Sequence, residues 1–115
     1  MPLGHEIRRM DKQGRICVIK LAGELDSESS LVLDHLLMTE SASVATHVIV
    51  DVSDVRFISS SGWRIFVQWS HHRPRDGRFI LCGMRPEVLE IFGILGLEGV
   101  IETCSVVEDA MALVD

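Results

Sequence analysis

The chain has 115 residues, 47% of them hydrophobic, enough for one domain to bury a core without disulfide or metal staples. Its formal net charge is −6, and no basic stripe exists to displace counterions from phosphates, which argues against nucleic acid as a partner. The densest basic groups, Arg8, Arg9, Lys12 and Arg15, then Arg73 and Arg75 beside His71 and His72, read as solvated surface.

Leu3 to Met10 alternates weakly and carries charge, as an edge strand does. Asp11 to Gly14 is a polar turn with glycine where positive φ is wanted. Ile16 to Ala22 is almost continuously apolar, so it is expected inside the sheet. Asp26 is placed to cap a helix from Ser27 to Glu40, with Glu28 in the first turn. Leu33, Leu36 and Leu37, joined by Ser29 or Val32, form its inward stripe. After the small-residue connection Ser41 to Thr46, Val48 to Val50 form a buried strand ended by Asp51. A helical crossover between two such strands implies parallel, right-handed pairing. Asp54 to Ile58 is expected to cross the sheet edge.

At Ser59 the apolar period changes. Ile65, Phe66 and Trp69 recur at helical spacing, Trp63 and Val67 lie at the margins, and Arg64, Gln68 and His71 form a narrow polar stripe. Pro74 and Gly77 end this helix, and Arg78 to Cys82 is the next strand. Pro86 and Glu87 open a helix with Val88, Ile91, Phe92 and Leu95 on one face, stopped by Gly96. Val100 to Thr103 is a short strand at the other edge. Ser105 and Glu108 spell a capping box for a last helix whose Val107, Ala110, Met111 and Val114 face inward. The order predicts a single α/β domain over 1–115: a mixed, mostly parallel sheet with an N-terminal hairpin and about four helices.

Cys17, Cys82 and Cys104 are widely spaced in apolar surroundings and read as reduced core residues. No charged n-region with an apolar h-region opens the chain, and no apolar run approaches about 18 residues. A cytoplasmic protein without membrane insertion is expected. His71 and His72 are adjacent and face different directions, so no metal site is expected. Gly93, Gly96 and Gly99 fall at a helix end rather than in a phosphate loop. No nucleophile elbow or paired carboxylates appear, so the chain reads as a binding module, without cofactor, rather than an enzyme.

Ser59, Ser60 and Ser61 sit at the start of the central helix. Their hydroxyls suit capping of orphan amides, and equally suit carrying a phosphate, since the helix dipole favours negative charge there. A phosphoryl group would add roughly −1.5 to −2 charges without unfolding the helix.

Here the chain resembles a known family. Asp51 to Phe66, DVSDVRFISSSGWRIF, looks like the signature of the STAS domain, the fold of bacterial anti-sigma-factor antagonists: a hydrophobic strand, D-L-S/A, then a short loop to D-S-S/A-G-L. Leu21 to Asp26 is similar to the family's L-x-G-x-L-D, Leu81 to Pro86 to its strand-turn, Phe92 to Leu97 to its helix end, and Val107 to Leu113 to its closing helix. The match covers nearly the whole chain in order. It implies that Ser60 is the phosphoacceptor, with Ser59, where the family usually has Asp, and Ser61 and Gly62 completing the phosphoacceptor loop.

The resemblance further implies a partner-switching role. The unphosphorylated protein would bind an anti-sigma factor that is itself a serine kinase, freeing a sigma factor. Phosphorylation at Ser60 would end binding and a PP2C-type phosphatase would restore it. Glu24 and Asp26 correspond to positions near the phosphoacceptor loop, where carboxylates could orient a kinase's Mg²⁺, although Asp26 could equally act as a cap alone. Trp63 and Arg64 are further candidate partner contacts, Trp63 as an exposed anchor or else as core. The alternatives are a non-switching scaffold, a transporter-associated STAS subunit, and a small-ligand or nucleotide-binding domain.

Overall fold

The computed structural model describes residues 3–9, 15–39, 45–74 and 76–114. The expected turn at 11–14 and most of the connection at 41–46 lie outside the described residues, as do Lys12 and Arg75. Five strands, β1 (Gly4–Arg9), β2 (Ile16–Leu25), β3 (His47–Ile58), β4 (Phe79–Cys82) and β5 (Glu102–Cys104), form one sheet in the order β1-β2-β3-β4-β5. β1 is antiparallel to β2, with Gly4 opposite Ala22 and Arg9 opposite Cys17, and the other neighbours are parallel. Both charged or short strands are at the edges, as expected.

The continuous apolar runs have a simple cause: both faces of the sheet are covered. Cys17, Ile19, Leu21, Val48, Val50, Phe79 and Leu81 point to one side. There they meet Leu33 and Leu37 of α1 (Ser27–Thr39), Ile65 and Phe66 of α2 (Ser60–His71), and Val88 and Phe92 of α3 (Pro86–Ile94). The alternate residues Ile16, Val18, Ile49, Ile80 and Cys82 point to the other side, under Ala110, Val107, Met111 and Val114 of α4 (Val107–Val114). Arg78 forks onto the Glu102 carboxylate and donates to the Leu113 carbonyl at 3.0 Å, tying β5 to the end of α4.

Several expectations are corrected. Asp54 to Ile58 does not cross the sheet edge but continues β3, pairing from Ala22↔Asp54 to Leu25↔Ile58. This follows because β2 itself runs on through Gly23 and Glu24 and supplies a partner. Two register shifts, between Lys20 and Ala22 and between Gly23 and Glu24, absorb the extra residues of β3. β4 ends at Cys82, opposite Asp51, so β3 extends well past it.

In α3 only Val88 and Phe92 are buried. Ile91 is 44% and Leu95 50% exposed, because a nine-residue helix closed by Gly96 at φ +69° presents only a narrow stripe to the sheet. β5 begins at Glu102 because the amides of Val100 and Ile101 donate back to the Leu97 carbonyl (2.9 and 3.0 Å), holding those residues in a 3₁₀ turn. α4 starts at Val107, with Ala110 N–H donating to Val106 O, so Ser105 lies one residue outside the frame a capping box requires.

Candidate functional site

The C-terminal ends of β2 and β3 lie side by side, and the chain leaves each into a helix. Ser59 is the N-cap of α2: its Oγ accepts the Gly62 N–H at 3.2 Å and its carbonyl accepts the Trp63 N–H at 3.0 Å. Its own amide donates to the Leu25 carbonyl at 2.7 Å, and its Oγ lies 3.4 Å from that of Ser30. Capping therefore falls to Ser59. Asp and Ser are about equally strong caps, so Ser59 does locally what the Asp of the usual STAS signature would do.

Ser60, the first residue of α2, is exposed, and among the described residues its hydroxyl makes no hydrogen bond. Ser61 is half-buried and Gly62 is buried. A Cβ at Gly62 would sit 2.7 Å from Leu25 Cδ2 and 2.9 Å from Ile58 Cγ2, so glycine lets α2 approach the strand ends.

One strand over, Asp26 closes the start of α1 reciprocally with Ser29. Its Oδ1 accepts the Ser29 N–H at 2.9 Å and lies 2.8 Å from Ser29 Oγ, which accepts the Asp26 N–H at 2.9 Å. Bonds from the Ser29 amide, then from its side chain, hold the Asp26 carboxyl below its ordinary pKa. Ser30 Oγ donates to the Asp26 carbonyl at 2.6 Å. Asp26 is thus a cap, yet it remains exposed, as does Glu24, which is paired with Phe57 in the sheet. The ladder brings Glu24 and Asp26 to the same end of the sheet as Ser59 and Ser60. Ser29 and Ser30 were not singled out from the sequence as part of this junction. Their signal was available, since Ser29 and Ser30, three and four residues after Asp26, fall on the same helix face as Leu33 and Leu37.

Against this geometry, the model of the STAS domain family matches residues 8–110. The chain belongs to the STAS domain family. BtrV of Bordetella bronchiseptica, which carries a provisional assignment as an anti-sigma factor antagonist, is 27% identical over 104 residues, 90% of each chain. The crystal structure of an anti-sigma factor antagonist from Mycobacterium paratuberculosis superposes with a TM-score of 0.86 at 18% identity, over 96% of this chain and 92% of the other. The anti-sigma factor antagonist SpoIIAA in its unphosphorylated form gives 0.72 at 20% identity, over 96% and 97%. The Bacillus SpoIIAA in its phosphorylated form gives 0.71 at 22%, over 97% and 100%.

Within this STAS domain, the exposed-anchor reading of Trp63 is corrected. Trp63 is 4% exposed, its ring centroid 6.1 Å from Phe66 and 5.8 Å from Phe92. Trp63 and Phe66, three residues apart in α2, share the face of the helix that packs on the sheet. Its indole N–H is buried without a partner among the described residues. Arg64 is exposed one turn beyond Ser60. Among the described residues no group of three His, Cys, Asp or Glu side chains is arranged to hold a metal ion. His72 Nδ1 instead lies 2.7 Å from the Gln68 carbonyl at the end of α2. Among the described residues no helix is long and apolar enough to cross a membrane.

Proposed function

We propose that this STAS domain is an anti-sigma factor antagonist of a partner-switching pathway, a non-enzymatic binding module whose unphosphorylated form binds an anti-sigma factor with serine kinase activity. Ser60 is the phosphoacceptor, and a PP2C-type phosphatase reverses the modification. The observation that carries this reading is the division of labour at the α2 start. Ser59 holds the cap, so the Ser60 hydroxyl is exposed and free to react.

The physics of the junction supports a switch of surface rather than of fold. A phosphate on Ser60 gains about 0.3–1 kcal/mol from the helix dipole, and its charge precedes Arg64 by four residues, the favourable order for an ion pair on a helix. The same group adds negative charge at the end of the sheet that carries exposed Glu24 and Asp26. A partner that packs against this end must then desolvate it or meet it with like charge, a loss of several kcal/mol in binding. Glu24, Asp26 and Arg64 are the contacts proposed for that partner.

The test is intact-mass measurement after incubation with ATP, Mg²⁺ and candidate serine-kinase anti-sigma factors of the same genome. A single phosphate that is absent in Ser60→Ala establishes the reading. A partner that binds but never modifies the wild type replaces it with a non-switching scaffold.

A further inference from the structure

The end of β3 and the first turns of α3 form the two walls of a groove of about 440 Å³, with Ile58, Trp63 and Val88 buried along its base. The walls differ in charge. In the ladder Val55 lies opposite Gly23 and Phe57 opposite Glu24, so Arg56 is the extra residue of a bulge, and Arg56 and Phe57 are both exposed. On the α3 wall Arg85 stands 3.9 Å from Glu87 and donates to the Ser53 carbonyl at 3.2 Å, which leaves the exposed Glu90. Among the described residues neither Arg56 nor Glu90 has an ion partner, so the strand wall carries one unmatched cation and the helix wall one unmatched anion. Apolar surface lies with them. Phe57 is 51% exposed, and Ile91, Ile94 and Leu95, which share one face at the end of α3, are 44%, 72% and 50% exposed.

We propose that this face pairs with a second copy of the chain, in an isologous dimer whose two-fold axis runs along the groove. Rotation about that axis lays the strand wall of each copy over the helix wall of the other. Arg56 then meets the second copy's Glu90, a contact made twice, and Phe57 packs on the second copy's Ile91 and Ile94. A face with opposite charges on its two sides is self-complementary under such a rotation. A purely acidic or purely basic partner would instead set one of the two charges against its like. The four apolar side chains expose roughly 400 Å² per copy, about half of what each partner contributes to a standard interface, so with its rim the pair belongs to the weak, reversible class. The net charge of −6 on each copy opposes pairing only at long range, where salt screens it beyond about 8 Å under physiological conditions.

The pairing is independent of the function proposed for Ser60, although Phe57 and Ile58 lead directly into that serine's helix. The test is sedimentation equilibrium of the unmodified chain from about 10 μM to about 1 mM, with circular dichroism to confirm that each variant folds. The wild type should form a dimer and nothing larger, because a two-fold face is consumed when two copies meet. Ile94→Lys, at the most exposed apolar position of the face, should be monomeric. Arg56→Glu alone and Glu90→Arg alone should each weaken association about tenfold or more, since each sets like charges together twice. An equimolar mixture of these two variants should dimerise to within about threefold of the wild type, because every charged contact across the axis then joins Glu to Arg.

A wild type that stays monomeric at the highest concentration overturns the proposal and leaves the face to another partner. So does a dimer that survives Ile94→Lys, which forms elsewhere on the chain. Association untouched by either charge reversal also overturns it, and marks an Arg56–Glu90 pair closed within one copy. Two monomeric variants that fail to pair when mixed rule out the two-fold arrangement.

Discussion

The amide of Ser59 donates a 2.7 Å hydrogen bond to the carbonyl of Leu25, joining the start of α2 to the end of β2. Leu25 also packs directly over Gly62, where a Cβ would come within 2.7 Å of its Cδ2. Gly62→Ala is therefore expected to destabilise the domain by about 1–3 kcal/mol, as overpacking of a core does. Urea unfolding followed by far-UV circular dichroism measures this. A neutral result would mean that the strand ends can part without cost.

Replacing each serine in turn separates cap from acceptor. Ser59→Ala removes the bond to the Gly62 amide and should cost about 1 kcal/mol, with Ser59→Asp restoring it. Ser60→Ala should change stability by less than about 0.5 kcal/mol while abolishing phosphate incorporation. Equal destabilisation by the two alanines would contradict the assignment of the cap to Ser59.

Asp26 supplies a pH dependence on the acid side. Its folded-state pKa is lowered, chiefly by the Ser29 amide, so its contribution is present above the ordinary carboxylate pKa and is lost as pH falls through the lowered value. Asp26→Ala should be less stable than wild type at pH 7. The two unfolding midpoints should converge as the solution is acidified below the usual carboxylate range.

The thiols act at the opposite end of the scale. Burial pushes Cys82 up to about 12, and it also raises Cys104, its partner in the β4–β5 register. Because the folded value lies above the unfolded one, the stability linked to Cys82 is intact below about pH 9 and lost as pH rises towards 12. In the native protein an aromatic disulfide reagent at pH 8 should modify half-exposed Cys104 slowly and leave buried Cys17 and Cys82 untouched, and urea should release all three. Rapid native labelling of Cys82 would show that α4 opens readily.

Trp63 and Ile91 should behave in opposite ways. Trp63→Ala empties the space between Phe66 and Phe92 and is expected to cost about 3–5 kcal/mol. Ile91→Lys, at a position 44% exposed, should fold with nearly unchanged stability. Thermal melts of the two variants check both statements.

What the chain determines by itself is whatever depends on neighbours in sequence. The order of strands and helices follows from apolar period, the closure of α1 from Asp26, and the stop after α3 from Gly96, each set by bonds spanning a few residues. The serine cluster at a helix start was legible for the same reason.

Tertiary structure decided the rest, because burial and pairing depend on where distant elements end. Which serine caps and which is free follows from the frame in which α2 meets Leu25 and Ile58. Trp63 turns inward because Phe92, twenty-nine residues later in the chain, waits beneath it. Among the described residues β3 runs on beside β2 alone because β4 stops at Cys82 while β2 continues to Leu25. Each outcome compares the lengths and faces of elements far apart in the chain, and no local period encodes that comparison.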